Sequence, residues 1–463
     1  MLLISHDVLG AKMAGPGIRY YHLSRVLSQY TSLKLAILPQ DDQARTKLQA
    51  RLPDVSVVEY KRRDWDSIKE AAEWAEVIIL SPYMASEFFQ LRDLPSVLVI
   101  DGYDPLLFEW LTMLSGEELP AHMAEWSSRM TMLFSQYLSA DFFICASERQ
   151  RYWWLGQLEV AGRINPVTYQ QDPSLRNLVD VVPYGLPETP AQHTRPVVKG
   201  VWPGIEPDDI VLLWGGGLWP WLDPLTAVQA IERLRPTHPH LKLIFPGTIH
   251  PNPEMQQMPV HNRQIHAYAQ EHGLLNKAVF FGEWVPYQDW PNILLESDIA
   301  ISLHHQTIET QLAYRSRILE YIWAGVPIIA TTGDTTSTLV SKYDLGEVVD
   351  YRDVSAVTQA ILNILARSQE AYQASLAVAR EALTWEKATW PLIQFCLNPR
   401  RAADRQLDGP SGVPYYKGEL IRHQAEVAHL KQLVAAYEDG KFMRLMRAFH
   451  HLRSRMRGNA FFL

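Results

Sequence analysis

The sequence predicts an α/β protein in which two doubly wound parallel-sheet domains face a cleft and a helical tail follows. Three observations predict this fold. Short apolar runs alternate with longer helix-period stretches on both sides of residues 186–208, and this alternation is typical of parallel βαβ units. Residues 186–208 are rich in proline and glycine without periodicity, which indicates a linker. The 463 residues are also enough for two cores.

The first domain is predicted over residues 1–185. Its candidate strands are the short apolar runs at 1–5, 33–38, 76–80, 96–100, 141–146 and 178–183. The second domain is predicted over residues 209–385. Its candidate strands lie at 209–214, 241–246, 277–282, 297–303, 326–331 and 346–351. Residues 386–400 have a helical pattern, which we expect to return to the first domain.

Composition narrows the function classes. A net charge of -8 and a pI near 6.1 argue against a nucleic-acid-binding protein. Cys145 and Cys396 are the only cysteines, so we expect no disulfide and a reducing, cytoplasmic location. The N-terminal residues lack the pattern of a signal peptide, and no apolar run reaches the roughly 20 residues that span a bilayer.

The tail, residues 401–463, differs from the rest of the chain. Over 415–440, Leu420, Val427 and Val434 recur at heptad spacing, which predicts an amphipathic helix that could pair in a homodimer. From Lys441 onward, arginines interleave with apolar residues and no acid occurs. Such a segment suits peripheral contact with the inner face of the cell membrane, and it equally suits docking on the acidic body of the protein.

A glycine-rich loop follows the first predicted strand. Gly15 and Gly17 allow a close approach of the backbone, and the helix that starts there favours an anion. Arg19 in its first turn could add a charged contact. A tight strand-to-helix turn that needs only glycine is the alternative.

A second glycine run follows the first strand of the second domain. Gly216 and Gly217 suit a phosphate or a ribose at the carboxyl end of that strand. Trp219 could pack on a base or a sugar, although packing between loops is an alternative.

Residues 314–334 are predicted to form a helix, a Gly-Val-Pro turn and a strand, and charged residues cluster before and inside the helix. Glu309, Thr310, Arg315 and Arg317 precede Glu320, and buried charge is costly unless it is paired or bound. A carboxylate at a cleft can accept ribose hydroxyls, and arginines can bind a diphosphate with two hydrogen bonds. An ion-pair network among these side chains is the alternative.

These motifs together resemble family 4 glycosyltransferases, in particular a subgroup that builds bacterial polysaccharides. The resemblance covers about residues 1–398 and is carried by the segments LEYIWAGVPIIAT, GPGIR, VVPYGL and CASERQRYWWLGQL. It implies the GT-B fold, with two Rossmann-like domains, and retaining transfer from a nucleoside-diphosphate sugar without a metal or other cofactor. It further implies that Glu320 binds the donor ribose, that Gly15 and Gly17 lie near the diphosphate, and that Trp284 and Val285 contact the base.

Two departures from the family pattern concern the donor site. The first glutamate of the family's pair is replaced by Leu312, with Glu309 three residues upstream. The usual arginine and lysine after the first strand of the second domain are also absent. We therefore hypothesise that Arg315 and Arg317 supply the missing positive charge.

The catalytic and acceptor residues are predicted in the first domain. Asp101 follows a buried strand, and we expect it to be catalytic or to orient the acceptor, with capping of the next turn as the alternative. Asp104, His122 and Glu148 are candidates for the acceptor side. The Asp64-x-Asp66 pattern is interpreted as surface, because it lies away from any predicted strand end.

Three functions remain open from the sequence. The first is a retaining glycosyltransferase that moves a sugar to a glycan or lipid-linked acceptor. The second is a sugar-nucleotide epimerase of the same fold, which needs acids and bases around the sugar. The third is a non-catalytic scaffold that binds a glycan or a nucleotide.

Overall fold

The computed structural model describes residues 1–11, 13–82, 84–114, 119–248, 259–406, 427 and 429–434. The predicted helix and basic segment of the tail lie outside the described residues, apart from residues 427 and 429–434, which are helical. No helix within the described part is long and apolar enough to cross a membrane.

The first domain is built on a seven-stranded parallel sheet of order β3-β2-β1-β4-β5-β6-β7. Its strands are β1 (Leu2–Ile4), β2 (Leu33–Ile37), β3 (Val55–Glu59), β4 (Val77–Leu80), β5 (Val97–Asp101), β6 (Phe142–Cys145) and β7 (Val179–Val181). The sequence prediction missed β3. This edge strand is largely half-buried or exposed, so it lacks the apolar run by which the other strands were recognised.

Eight helices of this domain connect its strands and cover the sheet. They are α1 (Gly15–Leu27), α2 (Asp42–Arg51), α3 (Lys69–Trp74), α4 (Met84–Glu87), α5 (Leu106–Met113), α6 (Leu119–Ser139), α7 (Glu148–Val160) and α8 (Pro166–Gln171). Alternate side chains of the strands point to opposite cores. Leu3 and Val99 pack on the side of α1, whereas Leu2 and Ile100 pack on the side of α7.

The second domain has a six-stranded parallel sheet of order β10-β9-β8-β11-β12-β13. Its strands are β8 (Ile210–Leu213), β9 (Leu241–Phe245), β10 (Val279–Phe281), β11 (Ile299–Ser302), β12 (Ile328–Thr331) and β13 (Gly346–Val349). Its helices are α9 (Pro224–Leu234), α10 (Pro259–Glu271), α11 (Trp290–Leu295), α12 (Ile308–Leu312), α13 (Ser316–Ala324), α14 (Thr335–Tyr343), α15 (Val354–Arg367) and α16 (Gln373–Ala382). The strand order reverses beside β8, where ligands of such sheets bind.

The two domains contact each other around the cleft. The backbone N–H of Tyr287 donates to the carbonyl of Ala11 at 2.8 Å, and the Tyr287 hydroxyl is 2.9 Å from Nε2 of His22. Helix α17 (Trp385–Leu397) returns to the first domain, where Trp385 stacks on His22. The carboxyl ends of both sheets therefore face one shared cleft.

Candidate functional site

Two helix starts meet across the cleft. Gly15 begins α1, and a Cβ placed on it would lie 3.7 Å from Oγ of Ser316, which begins α13. Neither helix has a side-chain cap or an acidic residue in its first turn. The amide groups of an uncapped first turn favour an anion. Gly17 has a different role, because its Cβ would come within 2.2 Å of the Val8 carbonyl oxygen.

Arg317 places a positive charge beside this pair of helix starts. Its guanidinium carbon is 5.5 Å from the centre of the Trp214 ring, and Nη2 donates to the carbonyl of Gly217 at 3.4 Å. Nη1 is buried without a hydrogen-bond partner among the described residues, and none of their carboxylates lies within salt-bridge distance. Burial lowers the pKa of Arg317 to about 10. A buried cation without a counter-ion is costly, so an anionic ligand would be stabilising here.

Glu320 lies one turn further along α13. Its Oε2 accepts a hydrogen bond from the Trp290 indole at 2.9 Å, and its side chain is partly exposed to the cleft. Burial raises the pKa of the Glu320 carboxyl to about 7, although the Trp290 bond and the Arg317 charge oppose this shift. Glu320 is therefore close to half-ionised at neutral pH, and in its ionised form it accepts hydroxyl hydrogen bonds best.

We predict that donor affinity depends on the ionisation of Glu320. Because its ionised form predominates only above a pKa of about 7, the affinity for a nucleoside-diphosphate sugar should fall as pH decreases below 7. One proton gives a limiting slope of about tenfold per pH unit. Calorimetric titrations between pH 5.5 and 8.5 would measure this slope. Glu320→Gln should bind more weakly without the slope, and a slope that persists in this variant would contradict the assignment.

Aromatic side chains lie beside several glycines of the second domain. Trp284 covers Gly247, whose φ of +80° and 3.2 Å approach to the indole leave no room for a side chain. Trp284 and the adjacent Val285 are both half-buried. Trp219 stacks on Trp221 and lies against Gly217. Gly216 and Gly217 are both partly exposed. Gly216 lies beside Arg317, and Gly217 lies beside Trp219. A ligand could therefore approach the backbone closely and stack on an aromatic ring at the same place.

Arg315, just before α13, pairs with Glu309 of α12, and this pair is one part of the ion-pair network that the sequence left as an alternative. Arg315 donates to both carboxylate oxygens of Glu309 at 2.8 Å, and its Nε lies 3.9 Å from Asp334. The hydroxyl of Thr310 donates to the carbonyl of His305 at 2.7 Å. Glu309, Thr310 and Arg315 are all buried. This geometry favours a positioning role, because Arg315 is the residue from which α13 starts.

Arg19 and Asp101 form a second buried ion pair. Arg19 donates to the two oxygens of Asp101 at 2.7 and 2.8 Å, and to the carbonyls of Val182 and Pro183 at 2.9 and 3.1 Å. Both side chains are fully buried. This geometry favours a structural role for the pair, and the donor contact of Arg19 and the catalytic role of Asp101 stay predictions. The pair connects α1, β5 and the residues that directly follow β7, and Tyr103 covers the guanidinium.

The first domain offers other carboxylates at the cleft. Burial raises the pKa of Asp104 to about 7, and the charges of Asp101 and Glu309 act in the same direction. Burial also raises the pKa of Glu109 well above its usual value, with further contributions from Asp104 and Glu309. Both side chains are partly exposed. The sequence reasoning missed Glu109, although a lone acid in the apolar helix LLFEWLTM is the signal that identified Glu320.

The remaining acceptor candidates lie on two other helices of the first domain, α6 and α7. His122 lies near the start of α6, and no hydrogen bond among the described residues connects it to Asp104. Glu148 is exposed and pairs with Arg176 at 2.7 Å on the domain surface. Gln150, which the sequence reasoning missed, instead donates to the carbonyls of Tyr103 and Leu312 at 2.6 and 2.8 Å, and so bridges the domains. A glutamine near a helix start gives no signal for such a role.

The described part of the chain contains no group of three or more His, Cys, Asp or Glu side chains that could hold a metal ion. Asp64 and Asp66 are both exposed, as the surface interpretation of this pattern expected.

Comparisons with known proteins agree with this architecture. Residues 209–367 match the family model described as glycosyl transferases group 1. No curated protein matches the chain by sequence. HepE from Anabaena, solved with UDP and glucose, is similar with a TM-score of 0.58 at 14% identity, over 85% of this chain and 98% of that one.

Two further solved structures are similar over most of their length. Sucrose-phosphate synthase from Thermosynechococcus elongatus has a TM-score of 0.55 at 15% identity, over 85% of this chain and 97% of that one. WaaG, a glycosyltransferase involved in lipopolysaccharide biosynthesis, has a TM-score of 0.55 at 12% identity, over 88% of this chain and 100% of that one. The chain therefore has the predicted GT-B fold, and its second domain is similar to group 1 glycosyl transferases.

Proposed function

We propose that this protein is a retaining glycosyltransferase that moves a sugar from a nucleoside-diphosphate sugar to a glycan or lipid-linked acceptor. One observation carries the proposal. The uncapped starts of α1 and α13 meet at Gly15 and Ser316, and Arg317, which has no counter-ion among the described residues, lies on the same side of the cleft. This arrangement suits a diphosphate, whose two charged groups need several donors at once.

In this proposal each part of the donor has its own contacts. Glu320 accepts hydrogen bonds from the ribose hydroxyls, and the half-buried ring of Trp284 with Val285 faces the base. Arg317 and the two helix starts bind the diphosphate. Because negative charge grows on the diphosphate as the bond to the sugar breaks, these donors stabilise the transition state more than the ground state.

The acceptor approaches from the first domain. Asp104 and Glu109 are partly exposed there, opposite Glu309 of the second domain, and Asp104 orients the acceptor hydroxyl. As the sugar–oxygen bond of the donor breaks, the acceptor oxygen forms its bond on the same face of the sugar. The acceptor proton passes to the departing phosphate oxygen, so the step needs no separate base and no metal ion.

The donor class and the location complete the proposal. HepE was solved with UDP-glucose at 14% identity to this chain, so a uridine-diphosphate sugar is the first donor to test. We place the protein in the cytoplasm, where nucleotide sugars are available, with residues 415–463 as the part that contacts the membrane or a second copy.

Release of nucleoside diphosphate tests this function. The protein should release UDP from one member of a panel of UDP, GDP, ADP and dTDP sugars, and an added glycan or lipid-linked acceptor should accelerate this release. Chromatography of the sugar product would identify the transferred anomer. Interconversion of donor sugars without release would indicate the epimerase, and binding without either reaction would indicate the scaffold.

A further inference from the structure

Gln150 is a fully buried side chain at the contact between the two domains. Its Oε1 accepts a hydrogen bond from the backbone N–H of Ala146 at 2.6 Å, and its Nε2 donates to the carbonyls of Tyr103 and Leu312 at 2.6 and 2.8 Å. A carboxamide has one acceptor oxygen and two N–H groups, and carbonyls can only accept. These hydrogen bonds therefore fix the orientation of the amide and engage its oxygen and both of its N–H groups.

Two of the three hydrogen bonds lie within the first domain. Ala146 follows β6, and Tyr103 lies in the loop after β5. The backbone N–H of Gln150 also donates to Ser147, the N-cap of α7, at 3.2 Å. The third hydrogen bond reaches Leu312, the last residue of α12 in the second domain. A side chain that its own domain already orients loses little conformational freedom when it binds the other domain.

The partner in the second domain belongs to the segment that leads into α13. The last carbonyls of a helix have no partner within that helix, so the carbonyl of Leu312 needs a hydrogen-bond donor from outside α12. Glu309, also in α12, accepts from Arg315 through both carboxylate oxygens at 2.8 Å, and α13 begins at the next residue, Ser316. Gln150 therefore connects the first domain to the segment at which the proposed diphosphate site begins.

The partner in the first domain belongs to the acceptor side of the cleft. The carbonyl of Tyr103 is part of the peptide bond to Asp104, the residue proposed to orient the acceptor hydroxyl. The Arg19 guanidinium carbon lies 4.6 Å from the centre of the Tyr103 ring, so the side chain of Tyr103 is held as well. The hydrogen bond from Gln150 therefore helps to fix the backbone from which the Asp104 side chain extends.

Arg149 makes a second contact between the domains from the same turn of α7. Its Nη1 donates to the carbonyl of Gly333, in the loop between β12 and α14. Arg149 is exposed, whereas Gln150 is buried. Water can replace an exposed hydrogen-bond donor at little cost, but removal of a buried one leaves its acceptors without a partner. The contact of Gln150 is therefore the one whose loss should matter more.

We propose that Gln150 is a positioning residue that couples the segment leading into α13 to the acceptor side and so holds Asp104 opposite the sugar donor. This inference rests on the proposed function and names a residue for its transfer step. In the competing hydrolysis, a water oxygen takes the place of the acceptor oxygen and its proton passes to the departing diphosphate. Because water needs no orientation by Asp104, loss of Gln150 should slow transfer more than hydrolysis.

The division between transfer and hydrolysis tests this role. Gln150→Leu should lower kcat for transfer about tenfold, as expected for the loss of one buried hydrogen bond. The Kd for the nucleoside diphosphate of the active donor should change by less than about twofold, because Gln150 does not touch the nucleotide in this proposal. The fraction of nucleotide release that yields free sugar should therefore rise.

Two further variants accompany this measurement. Gln150→Glu keeps the size of the side chain and the acceptor for Ala146, but its carboxylate cannot donate to a carbonyl, so it should behave as Gln150→Leu does. Gln157→Leu is the matched control on α7, because the hydrogen bonds of Gln157 to Tyr137 and Trp153 stay within the first domain. It should keep the wild-type division between transfer and hydrolysis. Thermal unfolding checks that each variant is folded.

Hydrogen exchange tests the coupling without nucleotide or acceptor. In Gln150→Leu, the amides of residues 308–314 should exchange about tenfold faster than in the wild type, although the substitution lies in the other domain. The amides of residues 101–106 should also exchange faster. Gln157→Leu should leave the exchange of residues 308–314 unchanged.

Two results would overturn the proposal. The first is wild-type exchange of residues 308–314 in both folded variants of Gln150. The second is an equal decrease of transfer and hydrolysis in these variants, which would indicate a purely structural role. If the wild type releases nucleotide from no donor, the proposed function fails instead, and the exchange measurement still decides whether Gln150 couples the two segments.

Discussion

Arg317→Ala should lower kcat/KM for the nucleotide-sugar donor by about 100- to 1000-fold, the range observed when one donor to a developing anion is removed. The guanidinium of Arg317 lies beside Gly217 with Nη1 unpartnered among the described residues, so no protein contact of that atom competes with a phosphate oxygen. Its removal therefore takes away positive charge where the departing diphosphate needs it. Steady-state kinetics with the donor identified in the panel would measure the loss.

Two further variants separate charge from geometry. Arg317→Lys keeps the charge but loses the planar pair of donors, so its activity should lie between those of the wild type and Arg317→Ala. Arg233→Ala removes an exposed arginine on α9 of the same domain and should leave the kinetics unchanged. If folded Arg317→Ala retains wild-type kcat/KM, Arg317 does not bind the diphosphate.

Asp101→Ala should lower the free energy of unfolding of the first domain by about 3–5 kcal/mol, because it leaves the buried charge of Arg19 without its partner. Both oxygens of Asp101 accept from Arg19, and both side chains are fully buried. Urea denaturation would measure the change. Asp64→Ala, at an exposed aspartate, should change the stability by less than about 0.5 kcal/mol.

A double variant tests whether the pair is structural. The double variant Arg19→Leu with Asp101→Leu removes both charges. It should recover much of the stability that Asp101→Ala loses. A catalytic Asp101 would behave differently. In that case Asp101→Ala would unfold like the wild type and lose only turnover, and this result would restore the role that the sequence first suggested.

The fold was largely predictable because buried parallel strands have continuous apolar runs. Twelve of the thirteen described strands could be recognised in this way, whereas β3 could not, since Ser56 and Glu59 interrupt its apolar run. The short helix α12 is equally hard to recognise, because its five residues around Glu309 and Thr310 show no helical period. Local patterns report burial, and they fail where an element is short or half-exposed.

A site residue could be predicted only where its local sequence pattern has a single explanation. Glu320 stood out as a charge in an apolar helix, and it lies in the cleft. Arg19 and Arg315 stood out as charges near helix starts, but their partners Asp101 and Glu309 determine what they do. Asp101 is 82 residues from Arg19 along the chain, and no periodicity reports such a pairing. Charge patterns thus identify candidates, whereas only the folded structure distinguishes a ligand contact from an ion pair.

The most direct test of the diphosphate site compares a nucleoside diphosphate with the corresponding monophosphate by calorimetric titration of the wild-type protein. The diphosphate adds the second phosphate, which the helix starts at Gly15 and Ser316 and the Arg317 guanidinium would bind. We expect the diphosphate to bind at least about tenfold more tightly, which corresponds to about 1.4 kcal/mol. Arg317→Ala should reduce that ratio. Equal affinities of the wild type for the two nucleotides would contradict the site.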